Sequence, residues 1–476
     1  MVFASPLFLF LFLPVTLVAY FASARSWRKG VLICASVFFY AWGEAKYLPL
    51  LLGSVAFNWW TGLRIAEARD TRARKRWLAF GVAGNIGALV VFKYANFAVA
   101  NINAIAPIFA LGPIALDAIP LPLGISFFTF HAISYVVDVY KGNAKAQPRI
   151  PTFALYILLF PQLIAGPIIR FRDIAAQLDR HRSRLADFAY GARRFTLGLG
   201  KKVLIANTLG ATADRVFALP GTDLTTPLAW LGIVCYTLQI YFDFSGYSDM
   251  AIGLMRMFGF RILENFNYPY ISRSVREFWR RWHISLSNWF RDYLYVPLGG
   301  NRRGARRSYV NLVIVFLLCG LWHGASWPFV LWGAWHGVFL VLERSSSGRA
   351  LERHRWMGHV YALAVVMGGW VLFRCDTLAH ARDYYVALIG LTHADPIRQP
   401  LAQYFDALVA TTLVIGAVFA TPLARTIGSW RDRTSDASLR GGIVIAADLM
   451  WLTLVLAASA ATLAAGTYNP FIYFRF

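Results

Sequence analysis

Charge is scarce in this chain: Asp, Glu, Lys and Arg make up 15% of its 476 residues, where a soluble protein carries about 25%. Acid is the scarcer sign, with 24 Asp and Glu against 47 Lys and Arg. Cysteine is rarer still. The four cysteines, Cys34, Cys235, Cys319 and Cys375, lie in apolar runs without paired spacing, which excludes a disulfide framework and a thiolate metal site. No Ser-His-Asp array and no metal-ligand spacing is evident, so neither a hydrolase nor a metalloenzyme is indicated, and no bound cofactor is expected. The first apolar segment, Pro6 to Phe21, has no basic region before it and no small-residue cleavage site after it, and reads as a retained helix. Internal repeats, low-complexity tracts and a separable soluble domain are missing too, so residues 1–476 read as one membrane domain.

What is abundant is apolar surface. Hydrophobic residues make up 58% of the chain and the mean hydropathy is +0.50, which describes a polytopic membrane protein, all-α. The formal charge of +23 would suggest nucleic acid in a soluble chain. Here the cations cluster in short segments between apolar runs, as cytoplasmic loops do under the positive-inside rule. The partner they imply is the bilayer, and nucleic acid is excluded. Runs approaching the about 20 residues a span needs recur from Pro6 to Ala465. Several are short or broken by Pro and Gly, so 10 to 13 membrane helices, some re-entrant, are expected. The basic pair of loops Arg25 to Lys29 and Arg69 to Arg76 places the N-terminus outside. The segment from Arg170 to Arg194, with Ile174, Leu178 and Leu185 at helical spacing, reads as an amphipathic helix on the inner surface.

One stretch organises the rest: Gly320-Leu-Trp322-His323-Gly324-Ala-Ser-Trp327. It puts an imidazole at the end of the apolar run Val310 to Leu321, where a charged side chain costs roughly 2.5–3.5 kcal/mol on insertion scales. Gly320 and Gly324 remove bulk on either side and leave room for another molecule to approach the ring, with Trp322 and Trp327 flanking it. Upstream, residues 261–307 are too polar to span. On one continuous helix Trp279, Trp282, His283, Leu286 and Phe290 fall within about 100°, with Arg273, Arg280 and Arg291 to one side. That directs His283 inward from an interfacial helix, although snorkelling arginines on an ordinary surface helix give the same pattern. Asp243 and Asp249, in Tyr241-Phe-Asp-Phe-Ser-Gly-Tyr-Ser-Asp249, either line a polar tunnel or satisfy buried backbone and arginines.

The motifs Arg280-Arg-Trp-His283-Ile-Ser-Leu-Ser287, Leu321-Trp-His323-Gly-Ala-Ser-Trp327 and Leu331-Trp-Gly-Ala-Trp-His336-Gly337 together resemble the membrane-bound O-acyltransferase family, in its bacterial polysaccharide branch. Pro122 to Phe130, Phe160 to Pro167, Asp243 to Asp249, Asn265 to Tyr270 and Tyr295 to Asn301 carry the same resemblance, which covers most of the chain to about Arg344 and resumes at the C-terminus. His131 stands where that branch has Gln, a variation expected to be satisfied by a hydrogen bond. The resemblance implies a funnel-shaped helical bundle with a tunnel joining the two membrane faces. It implies that His323, within the region 260–344, is the catalytic residue and His283 the second histidine, on the intracellular side. A neutral imidazole within reach of a hydroxyl can take its proton during attack on a thioester, worth about 10²–10⁴ in rate. His323 is therefore expected to be the base. His283 is expected to orient the donor or stabilise developing charge. His336, Trp322, Trp327, Asp243 and Asp249 are candidates for the tunnel lining.

The ending, within residues 467–476, Pro470-Phe-Ile-Tyr473-Phe-Arg-Phe476, resembles the C-terminal motif of small companion proteins in D-alanyl transfer systems, where the tyrosine is implicated as an acyl carrier. Tyr473 is thus a candidate relay, or an aromatic interface anchor. The resemblance implies acetyl transfer from a cytoplasmic thioester, acetyl-CoA first, across the bacterial inner membrane onto an exported polysaccharide, alginate first. A periplasmic SGNH-hydrolase-like partner is expected to complete the transfer. The alternatives are D-alanyl transfer to teichoic acid, acetylation of cellulose or peptidoglycan, and, in a different class, a transporter or polymer-export channel without chemistry.

Overall fold

The computed structural model describes residues 1–180, 183–344, 354–434, 439–466 and 468–470, and among them every regular element is helical. Among the described residues six stretches are long and apolar enough to cross a membrane: Arg28–Glu67, Thr71–Phe109, Thr226–Met257, Gly304–His323, Arg355–Arg374 and Gly441–Ala464. Three apolar helices are shorter, Phe8–Ala22, Trp327–Leu342 and Ala407–Phe419. Other runs read from the sequence are broken. The run Phe153 to Ile168 divides into helices Ile150–Leu158 and Phe160–Leu163, with Pro161 in the second of them, as proline's missing N–H requires.

The chain packs as two compact units, Met1–Gly191 with Leu254–Leu263, and Ala192–Gly253 with Glu264–Phe476. In the first, α1 (Arg28–Glu44), α2 (Leu48–Glu67), α3 (Thr71–Leu89) and α4 (Ile125–Lys141) form the core. Two of its buried amides match each other. Asn58 and Asn85 exchange amide hydrogen bonds of 3.2 and 2.6 Å between α2 and α3, which suits a medium without water to satisfy them. The His131 Nε2 accepts the Ile169 N–H at 3.2 Å, so the histidine in the glutamine position does find a hydrogen bond.

The segment from Arg170 to Arg194 departs from expectation. Helix Phe171–Arg180 buries Ile174 and Leu178 inside the first unit, while Leu185 is 85% exposed at the start of a separate helix, Leu185–Gly200. Lys29 holds Asp179 at 2.6 Å and keeps its carboxyl below the usual range. The apolar stripe was legible; what it covers is protein.

The second unit is built on α5 (Thr226–Met257, its last turn belonging to the first unit), α6 (Val275–Arg281), α7 (Ile284–Phe290), α8 (Gly304–His323), α9 (Trp327–Leu342) and α10 (Arg355–Arg374). Helices α8 and α9 form an antiparallel pair joined by Gly324-Ala-Ser326. Their backbones meet at glycines: a Cβ on Gly320 would stand 2.2 Å from the Phe329 carbonyl oxygen, and one on Gly333 2.2 Å from that of Phe316. A Cβ on Gly324 would strike the Phe329 ring, also at 2.2 Å. The space that Gly324 leaves beside His323, expected from the sequence to admit another molecule, is therefore taken by Phe329. Small residues at a membrane helix contact exist for this close approach. Gly320→Ala forces backbone apart, and overpacking of this kind costs about 1–3 kcal/mol. The variant is expected to give less folded protein in detergent and a lower melting temperature than wild type; equal yield and melting would mean that α8 and α9 separate freely.

Candidate active site

Residues 273–291 do not form one helix. The chain leaves α6 at Trp282, passes through His283 with φ 42° and ψ 55°, and enters α7 at Ile284. A left-handed conformation is rare for a residue with a Cβ, and it persists only where neighbours over-determine it. They do so here. The Asn265 carbonyl accepts the Ile284 N–H at 2.9 Å, and the Asn267 N–H donates to the Arg281 carbonyl at 2.9 Å, so an upstream strand of backbone clamps both sides of the break. The start of α6 is closed as well. Ser274 Oγ accepts the Glu277 N–H at 3.0 Å, the Glu277 carboxylate accepts the Arg273 N–H at 2.9 Å, and the Glu343 carboxylate accepts from Val275 and Arg276 at 2.5 and 3.0 Å. Two carboxylates and a hydroxyl thus satisfy orphan donors of the first turn. Burial raises the Glu343 carboxyl above its usual range, and those backbone bonds oppose the rise.

The break turns His283 inward, and it is 1% exposed. Its Nδ1 lies 3.1 Å from Asn265 Oδ1. The same Asn265 atom receives the Ser285 N–H at 3.2 Å and the Ser285 hydroxyl at 2.8 Å. A backbone N–H can only donate, so the Asn265 atom facing it is the oxygen, and the His283 Nδ1 must carry the proton. Asn265 Nδ2 then donates to Ser248 Oγ at 3.1 Å, consistent with that orientation. The Nε2 of His283 is left with its lone pair, buried and without a hydrogen-bond partner among the described residues. Burial pushes the imidazole down to about 3, so the ring is neutral across the ordinary pH range. A neutral ring of this tautomer can accept a hydrogen bond or a proton at Nε2. It has no N–H there to stabilise an oxyanion, which removes one of the two roles expected of it.

His323 closes α8 and is 5% exposed. Aromatic edges surround it: Trp322 at 4.9 Å, Trp332 at 5.1 Å and Phe373 at 5.1 Å between ring centroids. Trp322 also lies 6.3 Å from the His283 ring, so the two histidines expected to share a site border one indole. Trp332 connects His323 to His336, at 5.1 Å from each, and Trp279 lies 5.1 Å from His336 on its other side. Neither ring nitrogen of His336, which is fully buried, has a hydrogen-bond partner among the described residues. Trp327 is 52% exposed at the first position of α9. Besides Trp322, the rings edge-on to His323 come from Trp332 and from Phe373 of α10, which sequence spacing does not reveal.

Asp243 and Asp249 hold ion pairs. Asp243, 1% exposed, is 2.7 Å from the Lys202 ammonium, and Asp249 bridges Arg194 and Lys201 at 2.7 and 2.6 Å. Lys202 also donates to Asn207 Oδ1 at 2.8 Å and to the Pro470 carbonyl, while Asn207 Nδ2 donates to Asn469 Oδ1 at 3.1 Å. The residues just before the aromatic C-terminal motif are thus tied to a buried charged pair. Tyr473 itself lies outside the described residues. Of the other histidines, His354 and His393 are exposed, whereas His359 and His380 are half-buried. No group of three His, Cys, Asp or Glu side chains among the described residues could hold a metal.

The sequence profile of the membrane-bound O-acyltransferase family matches residues 126–367, a stretch that contains all three clustered histidines. The chain belongs to this family. Relatives agree over stretches of different length. A probable alginate O-acetylase, AlgI, of Azotobacter vinelandii is 44% identical over 507 aligned positions covering 100% of both chains. A peptidoglycan O-acetyltransferase of Helicobacter pylori is 38% identical over 82% of this chain and 80% of its own. A teichoic acid D-alanyltransferase of Bacillus subtilis is 30% identical over 46% of this chain and 58% of its own. This membrane-bound O-acyltransferase is accordingly an enzyme, and its chemistry is transfer of an acyl group to oxygen. Asn265 and Ser285, which orient His283, were visible in the sequence only as parts of motifs. Nothing in their spacing tied them to the ring.

Proposed function

We propose that the protein moves acetyl groups from a cytoplasmic thioester, acetyl-CoA, across the inner membrane for O-acetylation of an exported polysaccharide, with alginate as the polymer. What carries the choice of acetyl and alginate is the likeness to alginate O-acetylases along the whole chain, whereas the likeness to a D-alanyltransferase reaches under half of it. In the transfer, the acceptor hydroxyl oxygen attacks the thioester carbonyl as His323 takes its proton. The C–O bond forms, the C–S bond breaks, and the proton passes to the leaving thiolate. General-base help of this kind contributes about 10²–10⁴ in rate. His283, neutral and with its Nε2 lone pair facing the interior, positions the donor by accepting one of its N–H groups. The aromatic edges around His323 exclude water, which would otherwise hydrolyse the thioester.

On this reading the N-terminus is periplasmic, as the basic loops favour, and a periplasmic SGNH-hydrolase-like partner delivers the acetyl group to the polymer. Tyr473 carries it between the two as a phenyl ester, three residues beyond Pro470, whose carbonyl accepts from Lys202. The test is acetyl-ester content of purified polymer from an alginate-producing strain whose own O-acetylase is deleted. Wild-type protein is expected to restore the esters and Tyr473→Phe to leave them absent at equal membrane levels. Full esters with Tyr473→Phe would remove the relay. Esters appearing on peptidoglycan instead would replace the polymer.

A further inference from the structure

Beyond α10 the second unit adds α11 (Ala407–Phe419), α12 (Leu423–Thr434) and α13 (Leu439–Ala464). Helices α11 and α13 are apolar, and Leu408 and Val414 of the first and Leu449, Met450 and Leu454 of the second are exposed, as side chains turned to lipid are. Helix α12 is different. Short connections tie it to the membrane face where α11 ends and α13 begins. At 100° per residue its Leu423, Ile427 and Trp430 fall within about 60° of one another, and all three are exposed. Arg431 stands about 40° beyond one edge of this stripe and Arg433 about 60° beyond the other. Cations at both borders of an apolar stripe suit a helix lying in the membrane interface, where they reach up to headgroups.

An ion pair sets the depth. Arg431 donates to Asp448 Oδ2 at 3.0 Å, and Arg193 holds the same carboxylate through Nε and Nη2 at 3.1 and 3.0 Å. Asp448 lies in α13, past Gly441 where the spanning stretch begins, by a rise of about 10 Å. An interfacial helix buries its apolar face about 5–10 Å into the boundary between headgroups and acyl chains, so Arg431 reaches Asp448 from that layer. A carboxylate on a lipid-facing helix is costly, and this one holds two guanidinium groups that stay partly exposed. The surrounding charge is positive. Between Thr421 and Arg440 stand Arg425, Arg431, Arg433 and Arg440 against Asp432 and Asp436; with Arg193 and Asp448 included, the excess is two positive charges.

We infer that α12, with the Arg193–Asp448–Arg431 cluster beside it, is a binding site for anionic phospholipid. Leu423, Ile427 and Trp430 enter the acyl layer, and Arg431 and Arg433 take the headgroup phosphate in charge-assisted hydrogen bonds. Two observations select this occupant. The stripe continues the lipid-facing surfaces of α11 and α13, and the arginine excess complements a negative headgroup. A second copy of the chain would bring the same positive excess to this face and be repelled.

The test uses the full-length protein in phosphatidylcholine bilayers, with spin-labelled phosphatidylglycerol or phosphatidylcholine as probe, and reads the fraction of probe that the protein immobilises. Wild type is expected to prefer phosphatidylglycerol. Arg431→Gln with Arg433→Gln is expected to lower that preference about 5-fold for each arginine removed, while lysine at both positions keeps most of it. Asp448→Asn removes the carboxylate that competes with phosphate and is expected to raise it. A second measurement places a spin label at Ile427→Cys in a Cys34→Ser background, since Cys34 is exposed and the other three cysteines are buried. Its collisions with oxygen are expected to exceed those with a water-soluble nickel chelate. Equal immobilisation of the two lipids by wild type, or a preference unchanged in the double glutamine variant, overturns the site. So does a label open to the chelate, which puts the stripe in water, or closed to both reagents, which puts protein over it. Displacement of the lipid probe by glycerol phosphate in solution would identify a free-phosphate site and overturn the lipid assignment. Where the double variant melts below wild type, the wild-type lipid preference and the label at 427 decide.

Discussion

His323→Ala is expected to reduce polymer acetyl esters by two to four orders of magnitude in initial rate, the contribution of a positioned general base, without loss of the polymer. The substitution removes an imidazole that is 5% exposed and held by Trp322, Trp332 and Phe373. A cavity is left among aromatic rings, so melting temperature and membrane level must be compared in the same preparation. His323→Gln fills more of the space and still cannot accept a proton at neutral pH. If the glutamine variant folds as wild type and has lost transfer, the loss is chemical. If either variant retains full acetylation, His323 is not the base. Loss of the polymer itself would indicate the export channel set out above as the reading of a different class.

Substitution of Asn265 is expected to have the second-largest effect, although Asn265 is proposed to touch neither donor nor acceptor. Its side-chain oxygen accepts from His283 Nδ1, the Ser285 N–H and the Ser285 hydroxyl. Asn265→Leu strands all three donors in a buried site, at about 1–3 kcal/mol for each unsatisfied group, and frees the His283 ring to change tautomer. Asn265→Asp keeps the acceptor but introduces a carboxylate next to Nδ1, which favours the imidazolium. In wild type the depressed value of about 3 keeps His283 neutral from pH 8 to pH 5, so its protonation causes no loss of transfer across that range. In Asn265→Asp the raised value brings protonation into the range, and transfer is expected to fall as the pH drops. The sign is fixed: Nε2 accepts only while the ring is neutral. Initial rates at pH 5 to 8 check it, and identical profiles for wild type and Asn265→Asp would mean that His283 does not act through its lone pair. A purely structural Asn265 would change melting temperature in both variants and leave the pH profile alone.

Periodicity and composition made the helical class, the multiple spans and the basic segments between them legible, because a bilayer imposes run length and charge placement on the sequence itself. The helical wheel of residues 273–291 was right about which side chains share the interior and wrong about the continuity of the helix. His283 faces inward because the helix breaks at it, and no local propensity marks a histidine for a left-handed backbone. The glycines flanking His323 were correctly singled out, yet their reason lies on Phe329 of the next helix, a contact that one strand of sequence does not contain. Trp332 and Phe373 reach His323 from α9 and α10 for the same reason. Asp243 and Asp249 are explained by Lys202, Arg194 and Lys201, residues 41 to 55 positions away. Ion pairs of that range have no signature in spacing.

The left-handed turn at His283 has a consequence for how the chain has been shaped. Glycine would adopt φ 42° with far less strain than any residue bearing a Cβ, and an Ala or Leu in an unbroken helix would spare the backbone altogether. The clamp from Asn265 and Asn267 holds in place a conformation that the histidine itself disfavours. If His283 positions the donor as proposed, thermal robustness and transfer pull in opposite directions at this position. A search for more heat-stable variants that never assays transfer will drift toward removing His283.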